Sequence, residues 1–198
     1  MKKGMMTLVM FLTLPIFADL SANFTFSSNY VWRGMTQTMD KPGYSGGFDY
    51  SHESGFYAGT WGSNVAFGGA GLELDTYAGY TGTFEGVIDY DVGYIDYAYP
   101  GTSGDFEEFY FSASYEGIGF SYYQPLEGGA DYIEAFYSDD YVTFSYGDYN
   151  GYGTNFLAAY AFTLFDYDAS IGYTDFTAED GSGMQDEDGV VFSIGASF

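Results

Sequence analysis

Carboxylates recur at alternating positions along this chain. Glu73 and Asp75, Asp89 and Asp91, and Asp166 and Asp168 are each separated by one residue, and Asp49, Glu85, Glu108 and Glu134 share the same alternation with apolar neighbours. Successive side chains on a β-strand point to opposite faces, so this spacing gathers each pair on one face. Several strands presenting acids on a shared face would build a wall of negative potential, and rings of carboxylates favour cations in a pore. Arg33 is the single base with the same parity. A lone charge enclosed by protein needs a partner, and acids on neighbouring strands such as Asp49 are the expected ones. A place at a pore constriction is the other role open to Arg33.

Two further clusters invite chemistry. His52, Glu53 and Ser54 contain the residue types of a nucleophile, a base and an orienting acid. Consecutive strand residues diverge to opposite faces, and these three occupy a tight turn, so no relay is expected and the protein is not expected to be an enzyme. EDGSGMQDEDG, residues 179–189, is dense in carboxylates but does not follow the twelve-residue calcium loop with glutamate last. A solvated surface loop is the expectation, with weak divalent-ion contact to lipopolysaccharide as the alternative. No Cys/His cluster is present for a metal, and the glycines fall in turns and strands rather than between a strand and a helix, where they would cradle phosphate. No cofactor is expected.

The elements that position these acids are strands. Ile88, Tyr90, Val92 and Tyr94 alternate with Val87, Asp89, Asp91 and Gly93, and Phe165, Tyr167, Ala169, Ile171 and Tyr173 alternate with Asp166, Asp168, Ser170, Gly172 and Thr174. The pattern predicts twelve strands near 22–33, 43–53, 55–66, 70–81, 84–98, 105–116, 117–124, 130–138, 139–148, 153–163, 165–176 and 188–198, or ten if 117–138 is misread. Most have the roughly 9–11 residues that a tilted strand needs to cross a bilayer. Connections such as HESG (52–55), TGTF (81–84), YEGI (115–118), SDDY (138–141) and TLFD (163–166) are tight, whereas GMTQTMDKPG (34–43) and TAEDGSGMQDEDG (177–189) are long. Short turns at one end and long loops at the other mark outer-membrane barrels.

Composition agrees. Lys2 and Lys3 precede an apolar stretch from Met5 to Phe17 and the small residue Ala18, which reads as a signal peptide over 1–18, with the barrel spanning 19–198. The exported part keeps two strong bases, Arg33 and Lys41, against 28 acids, so nucleic acid is excluded as a partner. Aromatics make up 23% of the chain and Gly numbers 29, which disfavours both disorder and long helices. A soluble exported β-protein would have to leave its acids as an outer shell around an aromatic core; the inside-out arrangement gives the aromatic face to lipid and the acids to water. The final VVFSIGASF (190–198) then closes the barrel, with Val190, Phe192, Ile194, Ala196 and Phe198 toward lipid. Tyr30, Trp32, Tyr57, Trp61, Tyr80, Tyr94 and Tyr173 are expected in the interfacial aromatic girdles.

Residues 27–64 contain NYVWRG (29–34), TQT (36–38), Pro42, GGFDYSHESGFYAG (46–59) and Trp61 followed by SN at 63–64, and the stretch resembles the TorF porin family. That resemblance implies an outer-membrane barrel, a pore, and a terminal Phe198 that serves as the signal read by the outer-membrane assembly machinery. The combined expectation is an all-β, transmembrane, antiparallel up-and-down barrel of about twelve strands. It would sit among membrane lipid and lipopolysaccharide and pass small cationic or neutral solutes by passive diffusion. A structural or adhesive barrel with a filled lumen is the alternative.

Overall fold

The computed structural model describes residues 19–198, so the signal-peptide expectation for 1–18 lies outside the described residues. Fourteen strands follow in chain order: β1 (Asp19–Ser27), β2 (Val31–Trp32), β3 (Met35–Thr36), β4 (Gly43–Ser51), β5 (Phe56–Asn64), β6 (Leu72–Phe84), β7 (Ile88–Ala98), β8 (Phe106–Tyr115), β9 (Ile118–Pro125), β10 (Tyr132–Ser138), β11 (Val142–Tyr149), β12 (Gly153–Leu164), β13 (Tyr167–Ala178) and β14 (Glu187–Ser197). Twelve of them, β1 and β4 to β14, close into one antiparallel barrel in which each strand pairs with its neighbours in sequence and β1 pairs with β14. Closure is by ordinary ladder register, with Phe24 opposite Ala196 and Phe26 opposite Ile194. It removes both sheet edges, which the hydrocarbon of a membrane would not tolerate.

The two faces sort as the alternation predicts. Phe24, Phe48, Leu72, Leu74, Val92, Phe109, Ile133, Phe144 and Val190 are exposed on the outside. Inward neighbours such as Glu73, Tyr77, Glu108, Ser121, Glu134 and Ser193 are buried. An apolar belt of this extent is costly in water and favourable in lipid, so the molecule is a transmembrane barrel. Asp96 and Asp175 share the outward parity but lie toward the loop ends of β7 and β13, where the cost of a charge falls away.

Three expectations are corrected. The first strand does not run to residue 33. β1 stops at Ser27, and residues 28–42 turn inside the barrel as a loop that carries the β2–β3 hairpin. The turn expected at 81–84 is strand; β6 continues to Phe84, and Glu85 to Val87 form the turn. Tyr30, Trp32, Tyr57 and Trp61 are not girdle residues. Tyr57 is buried in an interior cluster against which Tyr30 and Trp61 pack, and Trp32 packs on inward-facing Tyr97 and Tyr149. Tyr80 and Tyr173 do lie exposed on the outside.

Candidate functional site

The site is the barrel interior, and the inward loop organises it. The loop satisfies its own polar groups. Asn29 Oδ1 accepts from the hydroxyls of Thr36 (2.7 Å) and Thr38 (2.8 Å), and the Asn29 amide donates to Asp40 (2.9 Å). It is also tied to the wall, where the Thr36 N–H donates to Glu187 of β14 at 2.6 Å, and to the β5–β6 connection, where the Ala66 N–H donates to the Gln37 carbonyl at 2.7 Å. Its tip is Arg33–Gly34, both left-handed at φ 49° and 83°, which gives the hairpin the twist its two short strands need. A Cβ on Gly34 would sit 2.7 Å from the Asn155 Cβ and 2.9 Å from the Phe176 Cβ. Only glycine lets the tip seat against β12 and β13.

From that tip Arg33 reaches β8. Its two terminal nitrogens donate to the two oxygens of Glu108 at 3.0 and 2.7 Å, a bidentate pair whose side chains are 5% and 1% exposed. The guanidinium also lies 4.1 Å from the Trp32 ring and 4.3, 4.9 and 5.0 Å from those of Tyr132, Tyr149 and Tyr123. Tyr97 donates a further hydrogen bond to Glu108 at 3.3 Å. Removed from water, such a pair needs good geometry and companions to hold, and it has both. Arg33 therefore pairs with Glu108, not with Asp49.

The other predicted residues divide by height in the barrel. Near the loop end, Glu73, Asp75 and Glu134 face inward and are buried, as Glu108 is. The Tyr132 hydroxyl is within hydrogen-bond distance of Glu134 at 3.0 Å and Asn155 at 3.1 Å. At mid-height, Tyr77 donates to Asp49, and Tyr57 donates to Asp91 at 2.6 Å while touching the Tyr110 hydroxyl. Near the turn end, Asp89 is exposed, accepts from Thr83 at 2.9 Å, and shares inward parity with Asp91; Asp168 lies inward on β13 opposite Gly195 of β14. Glu85 and Asp166 do not belong to the wall. Both are turn residues with left-handed backbone, at φ 53° and 66°.

Sequence reasoning missed the tyrosines that hold these acids. Their signal was present as inward glycines on neighbouring strands. A Cβ on Gly59 would collide with the Tyr77 ring, and one on Gly79 with the Tyr57 ring. Each glycine opens the space over which a tyrosine lies flat to reach its carboxylate.

His52 and Ser54 do approach, with Nδ1 and Oγ 2.8 Å apart, because they are two residues apart in an exposed turn. The Ser54 N–H also donates to Nδ1 at 3.1 Å, so the ring caps the turn backbone. In the loop at 179–189, Asp186 accepts from the Ala178 N–H at 2.9 Å, and no group of three or more His, Cys, Asp or Glu side chains suited to a metal occurs among the described residues.

Comparison with known proteins places the fold. The chain is similar to a solved structure titled KdgM porin, with a TM-score of 0.56 at 10% identity over 90% of this chain and 98% of that one. No curated protein matches it. Residues 17–198 match the family described as "Bacterial protein of unknown function (Gcw_chp)". The match covers nearly the whole chain, every barrel strand included, and the protein therefore belongs to the Gcw_chp family of bacterial proteins.

Proposed function

We propose that this protein is a porin-like channel of the bacterial outer membrane that passes small solutes by passive diffusion and prefers cations; the resemblance to TorF porins supports a pore, and the cation preference rests on the inward charges alone. The observation that carries the reading is the charge balance of the inward face. Asp49, Asp89, Asp91 and Asp168 line it below the loop, while Arg33, the only strong base inside among the described residues, is neutralised by Glu108. The remaining potential is negative, which concentrates cations and repels anions. Exposed Asp89 and half-buried Asp168 mark a wetted bore from the turn end upward. The loop at 28–42 narrows the other end, so the expected conductance is small. Phe198, outward at the end of the closing strand, is the expected contact for the assembly machinery, and the rim acids are the expected contact, through divalent ions, for lipopolysaccharide.

Planar-bilayer recording under a salt gradient tests this. A small conductance with a cation-selective reversal potential is expected, together with liposome swelling by small neutral solutes. Anion selectivity would reject the charge argument. A structural barrel without transport is the second reading, favoured by one observation: the Arg33–Glu108 pair and its rings bridge the interior from loop to wall. Absence of conductance in both the wild type and R33A would favour it.

A further inference from the structure

The loop end of the barrel holds two acid-and-aromatic sites. Arg33 fills one. The other surrounds Glu73 and Asp75, which stand two residues apart on the inward face of β6 and are 2% and 4% exposed. Asp75 lies opposite Trp61 of β5 and Tyr97 of β7, and the Tyr30 hydroxyl of the inward loop donates to Glu73 Oε1 at 3.2 Å. Glu73 Oε2 and Asp75 Oδ1 are buried with no hydrogen-bond partner. No cation among the described residues is offered to them. Among the described residues the strong bases are Arg33, committed to Glu108, and Lys41, exposed on the loop. Each carboxylate thus keeps one buried oxygen with neither donor nor counter-charge, which is unfavourable, and Glu108, with both oxygens bound by Arg33, shows how the same barrel handles one acid.

We propose that Glu73 and Asp75 form a binding site for a single hard divalent cation of calcium type. Two carboxylates match a charge of two, and both unpartnered atoms are hard oxygens. The irregular, ring-lined surroundings suit calcium, which accepts flexible coordination completed by water, better than magnesium, which demands an octahedron. The cation would also sit beside Tyr30 and so couple the inward loop to β6. The site is independent of whether the barrel conducts, since it needs only the pair and its burial.

Calorimetric titration of the refolded full-length barrel with calcium chloride, to about 10⁻³ M, tests the proposal. One calcium per chain is expected, with affinity falling at least about tenfold in E73Q and in D75N, because each removes a charged oxygen ligand. The amides are isosteric, and retention of the folded electrophoretic form checks that they still fold. No calcium binding by the wild type overturns the proposal. So does binding that survives in E73Q/D75N, or that is lost in E179Q/D180N, since the ion then belongs to the surface loop.

Discussion

The loop half and the turn half of this barrel are built on the same strands and the same alternation, yet they have become different materials. Toward the loops, the inward side chains include Tyr97, Tyr132, Phe176 and the buried acids Glu73, Glu108 and Glu134, with Trp32 packed on Tyr97 and Arg33 on Tyr132 and Glu108. Toward the turns, the inward positions of β12 to β14 are mostly small or polar, with Ala159, Ala161, Asp168, Ser170 and Gly195. The difference comes from one segment. Where residues 28–42 fold in, a wall becomes a core and its charges must be paired; where they do not, the inward face keeps small and polar side chains, which the proposed channel would use.

The largest expected effect follows from removing the charge that holds the halves apart. R33A leaves Glu108 buried without a partner and should cost about 3–5 kcal/mol of stability, read by urea unfolding of the folded barrel, while raising conductance severalfold as the loop loosens. Replacing both partners with apolar groups, R33M/E108L, should recover most of the stability, because a buried ion pair is often exchangeable for packed hydrocarbon. A double variant as unstable as R33A would mean that the pair does not set the packing of the loop half. A smaller effect is expected from G34A. Its new methyl would meet Asn155 and Phe176 at a left-handed position, so a loss of about 1–3 kcal/mol is expected, with conductance rising as the tip lifts away. Unchanged conductance would uncouple the tip from the constriction.

The turn half should answer differently. D168N removes a half-buried inward acid with no ion-pair partner among the described residues, so stability should stay within about 0.5 kcal/mol while the reversal potential moves toward zero. A destabilisation as large as that of G34A would show that this half is also packed as a core.

The contrast also explains what was legible in the sequence. Strand alternation marks a boundary between apolar and polar surroundings, and the closing strand Val190–Phe198, the inward acids Glu73 and Asp75, and the turn at 52–55 all followed from it. Alternation is blind to what supplies the apolar side. Tyr30 and Trp32 continue the rhythm of β1, but their rings pack against Trp61 and Tyr97 inside the barrel. Lipid and a packed lumen are equally good partners for an aromatic ring, so the break at Ser27 carried no hydrophobic signal. What marked it was Gly34, whose requirement is steric and depends on β12 and β13, more than a hundred residues away in sequence. The partner of Arg33 was hidden for the same reason, since Glu108 is adjacent only once the loop has crossed the barrel. Glu85 and Asp166 kept strand parity right up to the turns that contain them, where backbone conformation rather than the facing of the pleat decides their place.

The smallest effect belongs to the turns themselves, far from either interior. Asp139 Oδ1 accepts from the N–H groups of Tyr141 at 2.8 Å and Val142 at 2.9 Å, and its other oxygen accepts from the Tyr137 hydroxyl. These bonds, the two backbone ones foremost, favour the charged form and hold the carboxyl below its ordinary value. A depressed folded value means that the stabilisation is complete above the unfolded value, about 3.9 for aspartate, and disappears as pH falls through the folded one. The thermal midpoint of D139N should therefore lie slightly below wild type by a constant margin from neutral pH down to about pH 5, and the two should converge in more acidic solution. A margin that persists in acid would assign the effect to the geometry of the turn and not to its charge. Because the residue is exposed, neither conductance nor selectivity should change, which separates the turns of this barrel from the half that is packed and the half lined by small and polar side chains.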